Sequence, residues 1–152
     1  MKNLKDIVQN HTFFKDVKPE YIKMITSCSS SVQFEAGKMI FHEGEDAKDI
    51  LIICEGKVAI ELFAPKQGAV MIETIGRGDV LGWSWFIPPF RRQFDAKAIE
   101  LTKGISIESG CLRKLCDEDN NLGYTIMQRF ANVIVERLQA TRLQLLDIYR
   151  LQ

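Results

Sequence analysis

The chain has 152 residues, 46% of them hydrophobic, with twenty basic and twenty acidic side chains. That length and composition fit one globular core and exclude a disordered or low-complexity chain. Zero net charge argues against a free-standing nucleic-acid binder, which would be distinctly basic.

Residues 1–29 read as a helical leader. Leu4, Ile7 and Val8 form a short apolar stripe, and Pro19 stands at the first turn of a segment carrying Tyr21, Ile22 and Ile25. Met1 to Asp6 lacks the apolar core of a signal peptide, and no run reaches the length of a membrane span. A cytoplasmic location and no membrane partner are therefore expected.

Residues 30–109 switch to strand signals. Ile50 to Cys54 is a buried run, and Glu55-Gly56-Lys57 reverses the chain into Val58 to Phe63. Pro65 to Gly68 turns into Val70 to Ile75, which runs on through Gly76-Arg77-Gly78-Asp79 to Gly82. Phe94 to Leu101 and Ile105 to Ile107 complete the set. Many short strands at regular turn spacing predict an antiparallel β-barrel or sandwich, mainly β with flanking helices.

Residues 110–152 return to a helical period. Ser109 is placed to cap a short helix over Cys111 to Cys116, and Asp119, Asn120 and Asn121 are candidate caps for a long one reaching Arg150. Met127, Ala131, Ile134, Leu138, Thr141, Leu145 and Ile148 recur along one seam, with Ile126, Phe130 and Val133 in a second stripe beside it. One stripe can pack on the chain's own core. The seam runs beyond what the strand region can cover, so it predicts a homodimer through this helix. No linker or repeat divides the chain, and a single domain over 1–152 is expected.

Catalytic signatures are missing. His11 and His42 are the only histidines, too few for a metal-dependent barrel enzyme. No Walker, dinucleotide or G-x-S-x-G loop occurs. The chain reads as a non-enzyme with no metal site. Cys28, Cys54, Cys111 and Cys116 contain no C-x2-C pair and are expected as reduced, structural thiols. A cysteine-based redox sensor is the alternative.

Helices, a glycine-cornered strand region and a long seamed helix together resemble the cyclic nucleotide-binding domain family. Glu35 to Glu45 looks like its opening hairpin, Ile52 to Val58 its second turn, and Ile75 to Gly82 its approach to the ligand cassette. The arrangement is most similar to the sensor half of catabolite-activator-type (Crp/Fnr) bacterial regulators. The resemblance implies an antiparallel β-barrel (a double-stranded β-helix, or jelly roll) with N-terminal helices and a long dimerising C-terminal helix. It also implies a sensor whose ligand is cyclic AMP, cyclic GMP or another anion. A helix-turn-helix would lie past Gln152, so no direct DNA contact is expected from these residues.

In the family, a cassette carboxylate after the glycine bonds the ribose hydroxyl, and an arginine with nearby backbone amides holds the phosphate. Gly82, Trp83, Ser84, Trp85, Arg91 and Arg92 match this cassette, with Arg92 in the arginine position and Arg91 its substitute. Trp83 stands where the carboxylate belongs and cannot accept a hydrogen bond. Pro88-Pro89 removes two backbone donors. Losing one charge-assisted hydrogen bond weakens binding by about 1.5–3 kcal/mol. The alternative function is a dimeric protein-interaction module whose pocket the tryptophans plug, with Arg92 in an ion pair to Asp95 or Asp79.

Overall fold

The computed structural model describes residues 3–150; the extreme ends of the expected 1–152 unit lie outside them. The N-terminal layer is α1 (Leu4–Asn10), a 3-10 turn (Thr12–Phe14) and α2 (Pro19–Ser27), with Pro19 at the first helical position. Eight strands follow: β1 (Ser29–Phe34), β2 (Met39–Phe41), β3 (Asp49–Glu55), β4 (Lys57–Ala64), β5 (Gly68–Gly76), β6 (Val80–Leu81), β7 (Asp95–Ala98) and β8 (Thr102–Glu108). Helices α3 (Ser109–Glu118) and α4 (Asn120–Arg150) complete the described chain.

The strands form two four-stranded antiparallel sheets, ordered β1-β8-β3-β6 and β2-β7-β4-β5. They do not close into a barrel, and helices hold more residues than strands. The expected mainly-β barrel is thereby corrected to a mixed α/β fold with two open sheets. Closure needs edge strands long enough to pair with each other. Here β6 has two residues and β2 three, so the sheets bury their apolar faces against neighbouring layers instead.

Two cores result. The outer face of the first sheet, carrying Ile50, Ile52, Ile105 and Ile107, packs under the helices against Phe13, Ile22, Ile25, Ile126 and Phe130. Its inner face meets the second sheet through Leu51, Ile53, Val58, Ile60, Phe41, Phe94 and Ala96. The unbroken apolar run in β3 follows from this: alternate side chains enter opposite cores, so neither face is wet. Gly56 makes the β3–β4 reversal at φ +107°, where a Cβ would lie 2.6 Å from the Leu101 carbonyl oxygen and the Thr102 Cα. Only glycine meets both demands.

The helix caps differ in part from expectation. Asp119 caps α4, its carboxylate accepting from the amides of Asn121 (3.0 Å) and Leu122 (3.1 Å). Ser109 does not cap α3, because it lies inside the first turn and its hydroxyl donates to the Ala47 carbonyl (2.7 Å). Cys28 and Cys111 form a disulfide with a Cα–Cα distance of 5.8 Å, contrary to the expected set of four reduced thiols. Their proximity arises because α3 returns onto the α2–β1 junction, a long-range approach that spacing cannot reveal.

Candidate ligand-binding site

Between β6 and β7 the chain leaves the first sheet at Gly82, makes a 3-10 turn over Ser84–Phe86 and enters the second sheet past Arg92. Gly82 has φ +99°, and a Cβ there would sit 2.6 Å from Arg92 Nη1. The backbone thus favours glycine, and a side chain there would push the guanidinium lying over it aside.

The two tryptophans part company. Trp85 is 1% exposed and belongs to the helix-side core, edge-on to Phe86 and to Phe130 of α4, each at 5.3 Å between centroids. Its carbonyl accepts from Arg113 Nη1 on α3 (2.7 Å). Ser84 is buried, and its carbonyl accepts from the Ile87 amide (3.3 Å). Trp83 is half-buried and touches both cores. With Ile60, Leu62, Ile72, Phe94 and Leu138 it lines a cavity of about 310 Å³ between the second sheet and α4. It borders that space without filling it.

The two arginines also diverge. Arg91 points outward and pairs with Asp46 at 2.7 Å. Arg92 points inward, its side chain 3% exposed, and its guanidinium carbon stands 4.0 Å from the Phe41 ring centroid. Its backbone is fixed on both sides, the Arg92 amide donating to Glu45 (2.8 Å) and the Arg92 carbonyl accepting from Gly44 (2.9 Å).

Arg92 Nη2 donates to Asp49 Oδ1 at 2.5 Å, and Ser106 Oγ donates to Asp49 Oδ2 at 2.7 Å. Arg92 Nε and Nη1 have no hydrogen-bond partner among the described residues. Burial pulls Arg92 below the usual arginine range against the opposing attraction of Asp49. It nonetheless stays charged, as guanidinium does in proteins. A buried guanidinium with two unspent donor nitrogens is equipped to receive an anion.

The expected ion-pair partners of Arg92 are not the observed ones. Asp95 accepts from the Glu43 amide (2.7 Å) and Asp79 from the Gly76 amide (2.8 Å). Asp49 and Ser106 were invisible as site residues, because they lie 43 and 14 positions from Arg92 on other strands. The one available hint is parity: Ser106 sits between two residues of the helix-side core, Ile105 and Ile107, and so must face the other way.

Along α4, Leu122, Ile126 and Phe130 are buried, whereas every residue from 141 to 150 is exposed. On the predicted seam Met127 and Ile134 are half-buried, and Ala131, Leu138, Thr141, Leu145 and Ile148 are exposed. Among the described residues no group of three or more metal-ligating side chains occurs, and no helix is long and apolar enough to cross a membrane.

A helix-covered pair of antiparallel sheets, with a cassette presenting a buried arginine from the crossing between them, has the architecture of a regulatory sensor domain. The chain belongs to the cyclic nucleotide-binding domain family, which its residues 31–119 match. Domains of this family are regulatory and not catalytic. The chain is 27% identical over 146 residues to a CRP-like cAMP-activated global transcriptional regulator of Mycobacterium tuberculosis, a match covering 95% of this chain and 63% of that protein. It thus spans about 63% of the length of the curated relatives it matches. In fold it is similar to a cyclic nucleotide-binding domain from Methylobacillus flagellatus (TM-score 0.80, 20% identity, covering 95% of this chain and 81% of that one). It is also similar to the sensor domain of the transcriptional regulator DNR from Pseudomonas aeruginosa (TM-score 0.70, 15% identity, 89% and 91% covered).

Proposed function

We propose that residues 1–152 form one sensor unit that binds an anionic ligand at Arg92 and signals as a homodimer through α4. The observation that carries the ligand reading is the buried guanidinium with two N–H-bearing nitrogens unpartnered. A charge held at that depth is costly unless its donors are used. A cyclic nucleotide is the first ligand to try, given the family. Trp83 offers no acceptor for a ribose hydroxyl, so the affinity rests on the phosphate and on apolar contact in the cavity beside Trp83.

The link to α4 runs through α3. Ser109 at its start is held by the Lys48 and Ala47 carbonyls, just before Asp49, while Arg113 one turn on holds Trp85 of the cassette. Ligand engagement at Arg92 therefore bears on both attachments of α3, provided the ligand favours one arrangement over another.

Isothermal titration with cyclic AMP and cyclic GMP tests the site. We expect saturable binding below about 1 mM, weakened at least about tenfold in Arg92→Gln. A constant unchanged in Arg92→Gln removes this reading.

The dimer reading is supported by the exposed seam: Leu138, Leu145 and Ile148 are each about half exposed in the isolated chain, where large apolar patches mark partner surfaces. Leu138→Glu is expected to convert the dimer to monomer in sedimentation equilibrium at micromolar concentration, with little change in monomer folding. A monomeric unmodified protein refutes it.

A further inference from the structure

The ion pair at the cassette is unequal in a way that suggests how the site is regulated. Asp49 opens β3, whose residues alternate between the two cores, and its carboxylate lies on the Leu51 and Ile53 side but partly open to solvent. Its two oxygens are satisfied separately, one by Arg92 and one by Ser106. Arg92 gives it a single nitrogen, keeping Nε and Nη1 unused, so the pair is not the two-pronged fork that arginine makes with a well-matched anion.

The partners also differ in freedom to move. Arg92 is fixed by its backbone bonds to Glu45 and Gly44, by Phe41 against its face and by Gly82 beneath Nη1. Asp49 has 31% of its side chain exposed. Together with Ser106, Lys48, Glu108 and Ser30 it lines a separate cavity of about 460 Å³, roomy enough for a displaced carboxylate to be hydrated. The arginine is the fixed member and the carboxylate the one able to leave.

We propose that Asp49 is a built-in competitor for the anion site: it occupies Arg92 in the ligand-free protein, and a phosphate-bearing ligand binds by displacing it. This rests on the reading that Arg92 receives an anion. It goes further in naming the residue that sets the affinity threshold, and in making the ligand exchange one anion for another at a fixed cation. Ser106 acts as the latch, orienting Asp49 through its second oxygen.

The test is titration of the full chain with cyclic AMP, and separately with inorganic phosphate, for the unmodified protein, Asp49→Asn, Arg92→Gln and the double variant. Asn keeps the size of Asp and its hydrogen bonding to Ser106 while removing the competing charge. We expect Asp49→Asn to bind cyclic AMP at least about tenfold more tightly, and the double variant to lose that gain. Equal, Arg92-dependent binding by the unmodified protein and Asp49→Asn overturns the competitor role and leaves the anion site standing. No binding by any variant, Asp49→Asn included, overturns the anion site and the competitor with it. Should Asp49→Asn fail to fold, Ser106→Ala loosens the carboxylate without changing charge. It is expected to tighten binding about threefold, and no tightening overturns the proposal.

Discussion

The cassette has two halves that live in different cores. From Trp83 to Phe90 it belongs with the helices: Trp85 lies against Phe130 of α4, and Arg113 of α3 spans the loop, bonded to the Trp85 carbonyl and stacked 4.5 Å from the Phe90 centroid. From Arg92 to Ala98 it belongs with the sheets, beside Phe41, Phe94 and Ala96. The first half is an apolar anchor; the second carries the buried charge. A loop pinned in both layers is one whose displacement in the charged half must be felt at the helices, because packed cores do not deform smoothly.

Truncating the anchor separates the halves most sharply. Trp85→Ala removes the largest fully buried side chain and is expected to cost about 3–5 kcal/mol, read as a lower urea midpoint at unchanged slope. Arg92→Gln should cost less, because its partner Asp49 is close enough to solvent to be hydrated when released. If Arg92→Gln proves the more destabilising of the two, the charged half is structural, and the division into anchor and sensor is wrong.

The second expected effect concerns the disulfide. Cys28–Cys111 closes a loop of sequence separation 83 and joins the α2–β1 junction to α3, the helix that holds the anchor half. Constraining so long a loop in the unfolded chain is worth about 2–4 kcal/mol. Adding dithiothreitol, or replacing Cys111 by Ser, should lower the denaturation midpoint accordingly while leaving the tryptophan fluorescence of the folded state unchanged. The free thiols should not substitute. Burial and nearby Asp117 and Asp119 push Cys116 up to about 11, and burial raises Cys54 above the ordinary thiol value, so both are poor thiolates at neutral pH. Equal midpoints with and without reductant would mean that α3 is held by packing alone.

The sequence disclosed the order of the layers better than their closure. Pro19 opening α2, the Gly56 reversal and Asp119 beginning α4 are local signals, each needing only near neighbours, and each was readable. Whether the sheets close depends on the lengths of β2 and β6, which no local pattern encodes. At the site, Gly82 and Arg92 were legible because the cassette is contiguous. Asp49 and Ser106 were not, since their meeting with Arg92 is made by β3 and β8 pairing in register, Leu51 opposite Ser106. The same limit applies to Cys28 and Cys111. For Trp85 the sequence left two readings open, because its spacing from Gly82 places it in the cassette, whereas the core it enters is decided by the turn at Ser84–Phe86.

A second crossing between the layers is polar, and it should make the smallest, pH-dependent contribution. His11, in the N-terminal layer, has Nε2 2.9 Å from the Ile53 carbonyl of β3, while Nδ1 accepts from the Phe13 amide at 3.2 Å. An amide only donates, so Nδ1 must be bare and Nε2 must carry the proton, which is the neutral ring. Protonation would set Nδ1–H against the Phe13 N–H. Burial accordingly lowers the His11 value below that of a free histidine, outweighing the Ile53 carbonyl and Asp79, which both favour the charged form. The folded state then binds fewer protons than the unfolded chain, so stability rises with pH in this range. The contribution is complete above the unfolded value of about 6.5 and is lost as pH falls from there through the lower folded value. Urea midpoints measured between pH 7.5 and 5.5 should fall with acidification in the unmodified protein. They should be flatter in His11→Gln. A slope unchanged by His11→Gln would assign the acid sensitivity to groups other than this crossing.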